Sequence, residues 1–183
     1  MPHLNSLAAN ATLLDVYRRY PPLARHTLGL AAAAFDLTGE ISHAECELLG
    51  AYVSALNGCA YCHGIHTEAA AAAGVPRGAL EAIGAQSPPA YGGARWEPVF
   101  AYVAALTAEP HGVRRDHVVA LTQAGWSDDA IAQFAAVCCV FNVLNRLVEG
   151  IGLSADAAFY AQAGKRLASV GYAGTARMLG LAD

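Results

Sequence analysis

At 183 residues the chain is long enough to bury one substantial hydrophobic core, and it reads as a single domain over 1–183. Its net charge of −4 and sparse Lys and Arg exclude the basic footprint of a nucleic-acid binder. Hydrophobic residues make up 55% against 14% charged, an apolar load that points to a homo-oligomer in which one copy covers another.

No apolar run reaches the roughly 18 to 20 residues a spanning helix needs, because Gln133 and Asn142 interrupt the longest one, so no membrane span is expected. Met1-Pro2-His3-Leu4 lacks the basic start and apolar block of an export signal. Five cysteines, an odd number, suit a reducing compartment better than a disulfide framework, and the expected location is cytoplasmic.

Abundant Ala, short β-branched runs and regular Gly or Pro punctuation predict an all-α chain of stacked helices. The first covers Thr12 to Tyr20 and stops at Pro21-Pro22; the second covers Leu23 to Phe35. Ser42, with Glu45 three residues on, forms a capping box for a third helix running to about Leu56. Asn57-Gly58 is a turn signal, and a helix over Ala60 to Ala73 ends at Gly74. Pro76 opens a short helix to about Gly84. Gln86 to Ala94, rich in Pro and Gly, is the most loop-like stretch and the best internal divide, which leaves room for two degenerate helical halves. Helices over Trp96 to Thr107 and Arg114 to Ala124 follow, then a long one capped by Ser127 and reaching about Glu149.

Reactive groups concentrate between Glu47 and His66. With Cys59 beginning a helix, Cys59, Cys62, His63 and His66 fall within one arc of its surface, and residues three or four apart touch. A thiol in the first turn gains from the positive end of the helix. An imidazole one turn later can take its proton, and Glu47 on the preceding helix can orient that imidazole. Four readings fit: packed core cysteines, a zinc site, covalent haem on Cys59-Ala-Tyr-Cys62-His63, and a thiol–disulfide redox pair. Flanking histidines speak against the first and single-helix spacing against the second. The missing export signal counts against haem, and the redox pair, needing neither metal nor cofactor, is favoured.

Glu47, eleven intervening residues, then Cys59-x-x-Cys62-x-x-x-His66 resembles the core signature of the AhpD-like alkylhydroperoxidases, within the carboxymuconolactone decarboxylase superfamily. The words Ser54-Ala-Leu-Asn-Gly-Cys59 and His66-Thr-Glu-Ala are similar to that family, and Phe141-Asn142-Val-Leu-Asn145-Arg146 resembles its branch of uncharacterised peroxidase-related proteins. The resemblance implies an AhpD-like helical fold and a hydroperoxide substrate. It further implies Cys62 as the attacking thiol, Cys59 as the resolving one, and an external dithiol or a lipoyl- or thioredoxin-like protein as reductant. A second reading on the same scaffold is proton-transfer chemistry by Glu47 and His66 on a small carbonyl compound, the thiols being incidental; a third is a metal- or haem-binding protein.

Around this centre, Asn142, Asn145 and Arg146 share a face of the long helix with Cys138. Arg146 is expected either to sit in a satisfied pair within or between helices, with a carboxylate such as Glu149 or Glu47, or to reach a substrate or neighbouring subunit. Tyr61 can line the thiol pocket or pack as an aromatic, and His63 has no matched role beyond support or solvation. Cys46, Cys138 and Cys139 are read as packing residues, and His26, His111 and His117 as solvated ones.

Overall fold

The computed structural model describes residues 1–84 and 87–181, which form nine α-helices, two short 3-10 turns and no strand among the described residues. The helices are α1 (Leu13–Arg19), α2 (Pro21–Phe35), α3 (His43–Leu56), α4 (Ala60–Ala72), α5 (Arg77–Gly84), α6 (Glu97–Ala108), α7 (Arg115–Gln123), α8 (Asp128–Ile151) and α9 (Ala157–Met178). Over the described residues the architecture is all-α. The expected divide over 86–94 begins at Gln86, which lies outside the described residues.

Sequence-level caps are made as expected. Ser42 accepts from the Glu45 amide while Glu45 Oε2 accepts from the Ser42 amide at 2.8 Å, and Ser127 accepts from the Ala130 amide. The centre of the fold is the antiparallel hairpin α3–α4. Helix α4 packs along α9, α3 packs on α8, and α2 lies across α8 and α9. The α7–α8 pair, by contrast, packs only lightly.

Helix α8 is long and apolar enough to cross a membrane by length and composition, yet it is the core helix of the bundle. Phe134, Val137, Cys138 and Phe141 on it are fully buried. Gln133, which breaks its apolar run, is also fully buried, and its Nε2 donates to the carbonyls of Ala34 and Phe35, satisfying the end of α2. Trp96, Trp126 and Phe134 pack edge to face beside it, closing the α6 side of the core.

Helix α9, over residues to which the sequence reading assigned no element, begins at Asp156, whose side chain accepts from the Phe159 amide at 2.8 Å. It lies close on α4 because Gly164 has no side chain there. A Cβ at that position would stand 2.6 Å from the Ile65 carbonyl oxygen and 2.7 Å from the Ala69 nitrogen, both backbone atoms. The helix breaks at Gly171, where φ 63 and ψ −175 are open to glycine alone.

Candidate functional site

The hairpin register brings the reactive groups together. Rising from the turn, the Cys59 amide donates to the Ser54 carbonyl at 2.9 Å, His63 Nδ1 meets the Ala51 carbonyl at 3.0 Å, and His66 Nδ1 meets Glu47 Oε2 at 2.6 Å. Each pair lies one turn above the last. This explains the Glu47-x11-Cys59 spacing: it is what two antiparallel helices joined by a tight turn need to put a carboxylate opposite the second turn of α4.

Both members of the Glu47–His66 pair are buried, at 4% and 5% exposure, and the His66 ring stands edge-on to Phe141 at 4.5 Å. Burial works against a protonated imidazole, but the charge of Glu47 and its hydrogen bond outweigh it, so the pKa of His66 is raised. A buried charge paired and hydrogen-bonded in this way is tolerable where a lone one is not.

Cys59 occupies the N-cap of α4 rather than its first turn, which places Cys62 at the third helical position. Hydrogen bonding from Cys59 is the largest influence on Cys62; it, the charge of His66 and a bond from Asn145 overcome burial and hold the Cys62 pKa below that of an ordinary thiol. Cys59 moves the opposite way, raised by that same bond and by burial, so the pair divides into one acidic thiol and one that keeps its proton.

The two sulfurs serve different openings. Cys62 and His66 line a cavity of about 90 Å³ whose walls include Leu13, Tyr61, Ile65, Leu144 and Phe159. Cys59 and His63 line another of about 180 Å³ with Ser54, Gly58 and Ile83. Among the described residues no group of three or more His, Cys, Asp or Glu side chains is arranged to hold a metal ion.

The amides of α8 pin the turn below. Asn57 Nδ2 donates to Asn142 Oδ1 at 3.1 Å and Asn145 Oδ1 at 2.9 Å, and Asn145 Nδ2 donates to Ser54 Oγ at 2.9 Å. Arg146 is held within its own helix, though by neither carboxylate weighed for it: among the described residues its guanidinium donates to the carbonyl and side-chain oxygens of Asn142, at 3.0 and 2.6 Å. It is exposed and lines neither thiol cavity, because the four-residue helical offset makes Asn142 its nearest acceptor.

Tyr61 does both things weighed for it, lining the Cys62 cavity while packing edge to face on Tyr160, with its hydroxyl accepting from the Leu13 amide at 3.1 Å. Cys46 and Cys138 are buried, but Cys139 is exposed, since one residue along α8 is a turn of about 100° away from the core. His26 and His111 are exposed, whereas His117 is half-buried and its Nδ1 accepts from the Arg114 amide at 3.1 Å.

Sequence reasoning missed the contribution of α9. Phe159, Ala163, Arg166, Leu167 and Tyr172 from that helix wall the Cys62 cavity, as does Tyr17 from α1. Asp156 ahead of an Ala-rich run was the available signal, an N-cap followed by strong helix formers. Tyr172 is buried at 7% exposure and its hydroxyl has no hydrogen-bond partner, a condition that costs a folded protein about 1–3 kcal/mol.

Residues 21–105, which contain the α3–α4 hairpin, match the carboxymuconolactone decarboxylase family. No curated protein matches the chain. Among crystal structures, an uncharacterised peroxidase-related protein from Silicibacter sp. is similar at a TM-score of 0.72 and 20% identity, over 81% of this chain and 78% of that one. An uncharacterised peroxidase-related protein from Ralstonia eutropha, described as an alkylhydroperoxidase AhpD core, is similar at 0.74 and 18%, over 82% and 78%. A protein of unknown function from Agrobacterium tumefaciens is similar at 0.68 and 18%, over 80% and 100%. The segment 21–105, hairpin included, is thus similar to the carboxymuconolactone decarboxylase family, and the helical fold is similar to that of these peroxidase-related structures.

Proposed function

We propose that the protein is a thiol-dependent peroxidase that reduces small organic hydroperoxides. The observation that carries this reading is the line Glu47–His66–Cys62 at the wall of an apolar cavity, with Cys59 beside Cys62. An ordinary thiol, with a pKa of about 8.5, is mostly protonated at neutral pH. His66, oriented through Nδ1 by Glu47, takes the Cys62 proton, and the resulting thiolate attacks the terminal oxygen of the hydroperoxide. Cys62–SH and ROOH become Cys62–SOH and ROH. Cys59–SH then attacks the sulfenic sulfur, releasing water and closing a Cys59–Cys62 disulfide.

An external dithiol must reopen that disulfide, and a lipoyl- or thioredoxin-like carrier is the class of reductant proposed. The odd cysteine count supports cytoplasmic placement, which cell fractionation tests. Exposed Leu23, Leu30 and Leu37 support a homo-oligomer, which light scattering tests.

The deciding experiment supplies one equivalent of hydroperoxide to the reduced protein and counts thiols by intact mass. Loss of two hydrogens, mapped to Cys59 and Cys62, is the expected result. Unchanged thiols would sink the peroxidase and leave the Glu47–His66 pair to proton-transfer chemistry on a carbonyl substrate, the other reaction class this buried base can perform.

A further inference from the structure

Tyr172 is the buried polar side chain that the scheme above leaves without a task. It follows Gly171, where the left-handed backbone breaks α9. A Cβ on Gly171 would meet nothing within 4 Å, so glycine stands there for its backbone freedom and not for space. Beyond the break Tyr172 is turned into the bundle, its ring edge-on to Phe35 at 4.9 Å.

Tyr172 lines the Cys62–His66 cavity and also a neighbouring cavity of about 250 Å³ that reaches Glu47. Its hydroxyl is one of two buried side-chain polar atoms without a partner among the described residues, the other being on Thr67, which lines neither cavity. Buried hydroxyls are nearly always paired, and an unpaired one beside a reactive thiol needs a reason. Burial and the nearby charges of Glu47 and Cys62 keep the phenol protonated by raising its pKa well above the ordinary value, so it can donate but cannot act as a base. Donor bonds of this kind often close only when substrate is present.

We propose that Tyr172 touches the substrate, its O–H donating to the oxygen that leaves when a hydroperoxide reacts at Cys62. This rests on the peroxidase reading above. The Cys62 sulfur forms a bond to the terminal oxygen and the O–O bond breaks with its electron pair on the alkoxide. Sulfur is oxidised by two electrons and the peroxide is reduced by two. The alkoxide receives the proton His66 took from Cys62, and the Tyr172 hydrogen bond stabilises its charge while it forms.

The test compares the full-length reduced protein with Tyr172→Phe in single-turnover disulfide formation, using tert-butyl hydroperoxide and peracetic acid, with alkylation of Cys62 by iodoacetamide alongside. An alkoxide needs stabilising as it leaves, whereas acetate leaves as a stable anion. Tyr172→Phe is therefore expected to slow tert-butyl hydroperoxide about 100-fold, as loss of one oxyanion donor does. The same variant should slow peracetic acid by less than about three-fold, because only interactions made in the transition state count. Alkylation and thermal midpoint should not fall. Gly171→Ala, which forbids the backbone that aims the ring, should reproduce the selectivity between oxidants.

Equal losses with both oxidants, a parallel fall in alkylation, or no loss with tert-butyl hydroperoxide would each overturn the role given to Tyr172. Unimpaired oxidation of Tyr172→Phe beside a reactive wild type removes this role alone. A wild type that neither oxidant converts to the disulfide removes the peroxidase reading and this role together.

Discussion

His63 and His66 stand one turn apart on α4 and face the same neighbouring helix, yet they meet different groups. His66 meets the Glu47 carboxylate, is buried, and has a raised pKa. His63 meets the neutral carbonyl of Ala51 and is half-buried beside the Cys59 cavity. The contrast teaches that an imidazole becomes a base through what the facing helix offers at its level, and that the two sides of this helix start are chemically unequal. Cys62 lies on the charged side with His66, and Cys59 on the side of His63, where a hydrogen bond with Glu149 adds to the rise of its pKa.

The largest expected effect is on the charged side: Cys62→Ser abolishes hydroperoxide consumption in an assay supplied with dithiol, while retaining the far-UV circular dichroism of the wild type. Glu47→Gln comes next, lowering the rate of Cys62 oxidation about 100-fold, because His66 loses the carboxylate that orients it and raises its pKa as the general base. The same substitution carries a stability signature. Glu47 raises the folded His66 pKa above the unfolded value of about 6.5, so its contribution is complete below that pH and is lost as pH rises through the raised value. The advantage of wild type over Glu47→Gln in denaturant midpoint should therefore be greatest in acid and shrink on the alkaline side; a difference that grows with pH would break the assignment.

A smaller change sharpens the comparison between the sulfurs. Cys59→Ala removes the leading donor to Cys62, so the pH midpoint of Cys62 alkylation by iodoacetamide should move up toward that of an ordinary thiol. A midpoint that stays in place would assign the acidity to His66 and Asn145 instead. The smallest effect is expected on the side of His63, where His63→Gln should change the peroxide rate by less than about three-fold, because its ring nitrogen meets a backbone carbonyl in place of a carboxylate. A loss matching that of Glu47→Gln would erase the distinction between the two histidines.

Much of this was legible in the chain. The Ser42–Glu45 box, the Asn57-Gly58 turn and the Glu47-x11-Cys59-x2-Cys62-x3-His66 spacing are local features, and local geometry carries them directly into the α3–α4 hairpin. Arg146 was not legible, because which acceptor it reaches depends on rotamer and on where Asn57 draws Asn142. Helix α9 was overlooked for a different reason: its apolar residues are small and its one aromatic cluster sits at its start, so no strong periodic stripe announces it.

By itself the amino-acid sequence determined the helical class, the hairpin and the candidates for sulfur, base and acid, since each depends on neighbours within a turn or two. Only the tertiary structure decided that Cys62 and Cys59 open onto separate cavities, and that Tyr172 comes to the first of them across more than a hundred residues of chain. That placement depends on Gly164 letting α9 lie close on α4 and on Gly171 breaking it. Packing between distant segments is set by shape and excluded volume, which no stretch of sequence carries alone.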